Sequence, residues 1–184
     1  MRKINELIWH CSATPEGRKV TVATIRKWHK AKGWSDIGYH KVVYLDGSVH
    51  DGRPMNKIGA HVKGHNTGTL GYCYIGGVAK DGKTAKDTRT SKQKLAMARL
   101  TSEAIKDFGV VKVSGHNEYA NKACPSFDVQ TDPTIQSAVR GKSVKPIRPG
   151  PLPEKQQSSK GIIAIVFAAI LAAVAAFLKV KGVW

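Results

Sequence analysis

Acidic side chains are scarce in this chain. It has 13 Asp and Glu against 30 Lys and Arg in 184 residues, which gives a formal net charge of +17. Residues 141–184 contribute seven Lys or Arg and one Glu, so residues 1–140 carry about +11 of that total. Such an excess attracts polyanions, among which nucleic acid is the generic candidate. No nucleic-acid-binding motif is recognisable, however, and the lysines do not alternate with aromatic residues, so no nucleic acid partner is expected.

Cysteine is also scarce, with three residues in the whole chain. Three cysteines give no convincing disulfide framework and no repeated Cys-x-x-Cys pattern of a structural zinc site. This favours synthesis in a reducing cytoplasm. Cys73 lies in an apolar, aromatic segment and is interpreted as a small core residue.

The two other cysteines each have a histidine nearby. His10 directly precedes Cys11, and His116 precedes Cys124 by eight positions. Two imidazoles and one thiolate can hold zinc and leave the fourth tetrahedral position open, which is the arrangement of a catalytic site. The alternative is ordinary packing, because seven histidines in the chain make chance neighbours common.

Five short segments around these candidates carry a more specific signal. They occur in one order along the chain, at residues 8–14, 25–34, 36–40, 59–66 and 122–128. Together they resemble the type 2 N-acetylmuramoyl-L-alanine amidases, especially the small amidase-type phage lysozymes, and more distantly the peptidoglycan recognition proteins. The resemblance covers about residues 4–132.

The resemblance implies a set of functional residues and a reaction. It implies that His10, His116 and Cys124 bind one Zn²⁺ ion, and that Tyr39 and Lys122 are catalytic. The expected substrate is bacterial peptidoglycan, cleaved at the amide bond between N-acetylmuramic acid and L-alanine, by a phage endolysin that acts as a monomer in host lysis. The basic charge then fits attraction to an anionic membrane or envelope surface.

Two other functions remain open from the sequence. Some phage lysozymes of this kind also bind and inhibit the phage RNA polymerase, although the short segment from Met1 to Glu6 supports that role only weakly here. A noncatalytic peptidoglycan-binding module is the other alternative. The complete set of ligand and catalytic residues argues against it.

The remaining polar candidates are less specific. Glu118 could orient a ligand imidazole or could be an exposed glutamate. His61 and His65, in a glycine-rich stretch, could line the cleft, whereas the other histidines are interpreted as surface or packing residues: His29, His40 and His50.

Periodicity and turn residues predict an α/β fold with a mixed central β-sheet flanked by helices. Thr21 is expected to cap the first helix, Asp46-Gly47 to form a hairpin turn, and Gly109 to end the second helix. The strands are expected at 7–10, 40–45, 48–51, 72–78 and 110–113, and the helices at 22–32 and 91–108.

The C-terminal part differs in composition. Residues 1–140 are expected to form the zinc amidase domain, residues 141–160 a Pro-rich basic linker, and residues 161–184 a transmembrane helix. Residues 162–178 are an apolar run of 17 residues that would extend roughly 26 Å as a helix, close to the thickness of a bilayer core. A buried core helix is the alternative. The expected location is the host inner membrane, with the catalytic domain initially in the cytoplasm.

Overall fold

The computed structural model describes residues 2–141. The strands are β1 (Glu6–Cys11), β2 (Thr14–Pro15), β3 (Lys41–Val43), β4 (Val49–Asp51), β5 (Thr69–Tyr74), β6 (Gly77–Val78) and β7 (Lys112–Gly115). The helices are α1 (Val22–Ala31), α2 (Ser91–Phe108) and α3 (Pro133–Val139), and a 3₁₀ turn covers His116–Glu118.

Five strands form the central sheet, in the order β4-β3-β5-β1-β7. β3, β5, β1 and β7 pair in parallel, whereas β3 and β4 form an antiparallel hairpin. A separate two-stranded sheet joins β2 to β6. The predicted α/β fold with a mixed central sheet is therefore confirmed.

The two faces of the sheet have different partners. Leu7, Trp9 and Cys11 of β1 belong to a buried cluster that includes Met97 and Leu100 of α2. The indole of Trp9 also donates a hydrogen bond to the Thr101 hydroxyl over 3.1 Å. Because successive side chains of a strand point to opposite faces, His10 lies on the other face of the sheet.

Two helix ends lie at the predicted capping residues, Thr21 and Gly109. The Thr21 hydroxyl accepts a hydrogen bond from the backbone of Thr24, and Thr90 and Gln93 form a capping box at the start of α2. Gly109 ends α2 in the left-handed conformation, with φ of 69°.

Two local predictions were wrong, and one helix was missed. The strand expected at 72–78 is two strands, because the backbone leaves the extended region at Gly76 and Gly77, where φ is 136° and 97°. The strand expected at 110–113 begins and ends two residues later as β7. α3 was not predicted, although its N-cap Asp132 and the following proline are a recognised start signal.

The predictions for the C-terminal part concern residues that the structure does not describe. The predicted linker beyond residue 141 and the predicted transmembrane helix at 161–184 lie outside the described residues. Within residues 2–141, none of the helices combines the length and the apolar character needed to cross a bilayer.

Candidate active site

His10 lies at the centre of the candidate site. It is the penultimate residue of β1, its side chain is fully buried, and its Nδ1 atom is 3.8 Å from the Sγ atom of Cys124. Burial lowers the pKa of His10 well below its usual value, and the nearby His61, His116 and Lys122 lower it further. The imidazole is therefore neutral, which is the form that binds a metal.

His116 and Cys124 reach the site from the segment after β7. His116 begins the 3₁₀ turn directly at the end of that strand, and its ring centroid is 4.8 Å from that of His10. The backbone N–H of Cys11 donates to Cys124 Sγ over 3.2 Å, which ties the cysteine segment to the end of β1. One donor atom from each of His10, His116 and Cys124 lies within 4.8 Å of the other two.

Tyr39 lies beside His10, and Lys122 precedes Cys124 by two residues. The ring centroid of Tyr39 is 5.1 Å from that of His10, and burial raises the pKa of Tyr39 well above its usual value. The phenol is therefore protonated at neutral pH. Lys122 is exposed, and it is close enough for its charge to lower the pKa of both His10 and His116, after the larger effect of burial.

The donor set fits a single zinc ion. Two neutral imidazoles and one sulfur atom, from β1 and from the segment after β7, converge at one point, and three protein ligands leave a fourth tetrahedral position for water or substrate. The soft thiolate together with two imidazoles favours zinc over magnesium or calcium, which prefer oxygen ligands. A hydroxyl donor and an ammonium group beside such a centre are the groups that amide hydrolysis requires.

Comparison with known proteins agrees with this geometry. Residues 1–127 match the model of the Amidase_2 family, described as N-acetylmuramoyl-L-alanine amidase. The chain belongs to the N-acetylmuramoyl-L-alanine amidase family. This confirms the resemblance stated from the sequence, and it confirms the prediction that the chain is an enzyme of this class.

The amidases that resemble this chain include phage proteins. The endolysin of Escherichia phage T7 is 42% identical over 122 residues, which are 66% of this chain and 80% of that endolysin. The endolysin of Enterobacteria phage K11 is 37% identical over 129 residues, 70% of this chain and 85% of its own length. The solved structure of the Ph2119 endolysin from Thermus scotoductus MAT2119 bacteriophage Ph2119 is similar, with a TM-score of 0.59 and 26% identity over 76% of this chain and 86% of that chain.

The structure brings together the five residues that the sequence singled out, namely His10, His116, Cys124, Tyr39 and Lys122. Their individual roles stay predictions. Glu118 does not orient a ligand imidazole among the described contacts. Its exposed carboxylate accepts hydrogen bonds from the backbone N–H of Gly115 and the side-chain amide of Gln130.

The other histidines occupy different environments. His65 is exposed and packs on Tyr119, with ring centroids 4.5 Å apart. His29 and His40 are buried packing residues, as predicted, and His50 stacks on Tyr44. His61 is buried, and its Nδ1 atom is 3.1 Å from His10 Nε2.

The contact between His61 and His10 was missed from the sequence. A signal was available in the glycines around it. Gly71 interrupts the buried strand β5, and Gly59 precedes His61 by two residues, so both positions mark a close approach of another group.

Proposed function

We propose that this protein is a phage endolysin that hydrolyses the amide bond between N-acetylmuramic acid and L-alanine in bacterial peptidoglycan, using one zinc ion held by His10, His116 and Cys124. The observation that carries the proposal is the convergence of those three donor atoms within 4.8 Å, next to Tyr39 and Lys122, in a chain of the amidase family. The endolysins of phages T7 and K11 support the role in lysis.

The metal and the protein residues have separate tasks in this reaction. A zinc ion held by these three residues would supply Lewis acidity towards a carbonyl group and would lower the pKa of bound water towards about 7. The protein holds the ligands in place through the buried β1 strand and the backbone hydrogen bond from Cys11 to Cys124.

Lys122 and Tyr39 act on the substrate. The ammonium group of Lys122 stabilises the negative charge that develops on the carbonyl oxygen of the scissile amide. Tyr39 keeps its proton because burial raises its pKa, so its hydroxyl delivers or relays a proton to the leaving amine of L-alanine. The partly buried ring of Tyr39 packs on His10, which keeps the hydroxyl next to the ligands.

The bond that is cleaved can be identified directly. Purified peptidoglycan is digested, and the soluble fragments are analysed by mass spectrometry with and without a chelator. The proposal predicts free stem peptides that begin with L-alanine, and no release after chelation. Fragments with intact muramoyl-peptide links, or equal release in the presence of chelator, contradict it.

Two cysteine variants connect the activity to the metal site. In Cys124→Ala, the loss of one ligand is expected to abolish zinc binding and digestion. Cys73→Ala is the control, because Cys73 is also a free cysteine but lies outside the ligand group. The control should keep one zinc per chain by elemental analysis and should keep its activity.

Attachment to a membrane is a further proposal from the sequence. The apolar run at 162–178 and the basic residues on both sides of it support insertion in the host inner membrane, with action on the cell wall. Carbonate washing of membranes should leave the full chain bound and should remove a chain that ends at Arg140. Equal removal of both proteins contradicts attachment by the C-terminal segment.

A further inference from the structure

In addition to the five predicted residues, the buried side chain of His61 is in direct contact with the proposed ligand His10. His61 Nδ1 is 3.1 Å from His10 Nε2, and both side chains are buried. The two residues are 51 positions apart in the sequence. At this distance, one of the two nitrogens must carry a proton and the other must accept it.

The position of Cys124 decides which nitrogen of His10 carries the proton. His10 Nδ1 is the atom that faces Cys124 Sγ, at 3.8 Å, so Nδ1 is the nitrogen available to the metal. A nitrogen that binds a metal cannot carry a proton, and the neutral ring then has its N–H at Nε2. His10 Nε2 therefore donates, and His61 Nδ1 accepts.

The next two hydrogen bonds are consistent with this assignment. Since Nδ1 of His61 accepts, its own N–H is at Nε2, which is 3.3 Å from the hydroxyl oxygen of Thr69. The Thr69 hydroxyl can in turn donate to the backbone carbonyl of His65 over 2.7 Å. Every group in this series has one proton to donate and one acceptor to receive it.

The surrounding backbone leaves room for the His61 ring. A Cβ atom at Gly71 would be 2.4 Å from the ring, and one at Gly59 would be 2.5 Å from it, so both positions have to be glycine. Glycine weakens a strand, and Gly71 is inside the buried strand β5. The backbone of His61 is also held, because the side-chain oxygen of Asn66 accepts hydrogen bonds from the N–H groups of His61 and Val62.

We propose that His61 is a positioning residue that accepts the Nε2–H hydrogen bond of His10, fixes the tautomer and orientation of that ring, and so leaves His10 Nδ1 free to bind the metal. The inference rests on the metal site of the proposed function. Residues that orient a ligand histidine are typically carboxylates, backbone carbonyls or water, and here a neutral imidazole has that role. Removing such a partner typically costs about 10–100-fold in metal affinity.

Substitutions at His61 test the acceptor directly. In His61→Leu the acceptor is lost, and the dissociation constant for Zn²⁺, measured in competition with a metallochromic chelator, should rise by about 10–100-fold. In His61→Asn the side-chain oxygen can take the place of Nδ1, so the dissociation constant should return to within about threefold of the wild type. A leucine variant that binds Zn²⁺ as tightly as the wild type overturns the proposal.

A matched control separates positioning from general loss of packing. His40 is buried as well, but its Nδ1 accepts from the backbone N–H of Gly71 and its ring makes no hydrogen bond to His10. His40→Asn can lower thermal stability and should leave the zinc dissociation constant unchanged. If His40→Asn weakens zinc binding as much as His61→Leu does, the effect is one of packing and the proposal is wrong.

Two further measurements keep the test decisive if His61→Leu fails to fold. Thr69→Val removes the acceptor of His61 Nε2–H, and it should weaken zinc binding by less than the leucine variant is expected to. In the zinc-loaded wild type, ¹⁵N–¹H NMR of the histidine side chains should show a slowly exchanging proton on His10 Nε2 and a metal-bound Nδ1. Metal bound through His10 Nε2, or no effect of Thr69→Val, overturns the proposal.

The outcomes also separate this inference from the proposed function. A wild type that binds no zinc contradicts both. A wild type that binds zinc and releases stem peptides, with unchanged zinc affinity in His61→Leu, contradicts only the role of His61. A zinc-binding wild type that releases no stem peptides contradicts the proposed reaction, whereas the affinities of the His61 variants still decide the positioning role.

Discussion

The hydroxyl of Tyr74 donates a hydrogen bond to the backbone carbonyl of Pro125 over 2.8 Å, across 51 positions of sequence. Tyr74 is the last residue of the central strand β5, and Pro125 directly follows the proposed ligand Cys124. Both groups are buried, so this bond fixes the cysteine segment to the sheet. The position of the third ligand thus depends on the core as well as on its own segment.

Tyr74→Phe is expected to lower the free energy of unfolding by about 1–2 kcal/mol, because the carbonyl of Pro125 loses its buried partner. It should also weaken zinc binding moderately. Tyr72→Phe is the control, since Tyr72 is equally buried and its hydroxyl makes no hydrogen bond with the described residues. Urea denaturation measures both variants, and equal losses of stability would contradict the special role of Tyr74.

Arg89 connects three parts of the chain near the same segment. Its buried guanidinium makes salt bridges to Asp87 at 2.9 Å and to Asp132 at 2.6 Å, and it lies 3.3 Å from the ring centroid of Phe127. Asp132 is also the N-cap of α3. Arg89 therefore links the start of α3 to the loop before α2.

Arg89→Met should lower the free energy of unfolding by about 3–5 kcal/mol, because it leaves the Asp132 carboxylate without its buried partner. Arg99→Met is the matched control. Arg99 pairs with Glu103 on the exposed face of α2, where such a pair contributes about 0.5 kcal/mol. Chemical denaturation measures the free energy of unfolding of both variants. A similar small loss of stability in each would show that the Arg89 network contributes little to stability.

The same network predicts that the stability of the fold depends on pH. Burial acts to raise the pKa of Asp87, but the hydrogen bonds and charge of Arg89 outweigh it, so the pKa is below its usual value. The unfolded chain then binds the proton at a higher pH than the folded chain does. The stabilising contribution of Asp87 is present above the unfolded pKa of about 4 and is lost as the pH falls through the lower folded value.

Asp87→Asn lacks this titration. The wild type should be more stable than the variant at neutral pH, by about 1 kcal/mol after allowance for partial exposure, and the difference should shrink as the pH falls from about 6 to about 3. Loss of metal at low pH affects both proteins, so the difference isolates Asp87. A difference that stays constant over this range would contradict the low pKa of Asp87.

Local chemistry explains how much of the fold could be predicted. Thr21 and Gly109 are capping residues that determine helix ends through contacts within a few positions, and both were found from the sequence. The break at Gly76 was missed, because it depends on pairing between β2 and β6, strands more than sixty residues apart. Long-range pairings of this kind leave no periodic signal in the sequence.

In the candidate site too, some features could be predicted from the sequence and others could not. The ligand and catalytic candidates could be predicted because the chain could be compared with the residue pattern of a known family. The contact between His10 and His61 depends on β5 lying next to β1, which places Gly71 opposite Ile8 and opens space for the ring. The spacing of residues along the chain does not show that β1 and β5 are neighbouring strands.

Tyr39→Phe should reduce kcat by about 10²–10⁴-fold with little change in zinc content, since only the proton-donating hydroxyl is removed. Tyr44→Phe is the control. The Tyr44 hydroxyl accepts a hydrogen bond from the backbone of Val22 at the start of α1, so its loss should affect stability and not the rate. Initial rates on soluble muramoyl-peptide fragments measure both variants, and a normal kcat for Tyr39→Phe would exclude the hydroxyl from proton transfer.

Lys122→Ala should lower kcat by about 10²–10³-fold, because the positive charge that stabilises the oxyanion is lost. Zinc should remain bound, since Lys122 is not one of the three ligands and its exposed side chain adds little to the core. Lys106→Ala is the matched control, because Lys106 is equally exposed but belongs to α2, on the face of the sheet away from His10. Both variants lose one positive charge, so general attraction to an anionic wall falls equally in each. Unchanged turnover of peptidoglycan by Lys122→Ala, with zinc still bound, would show that the oxyanion is stabilised by another group.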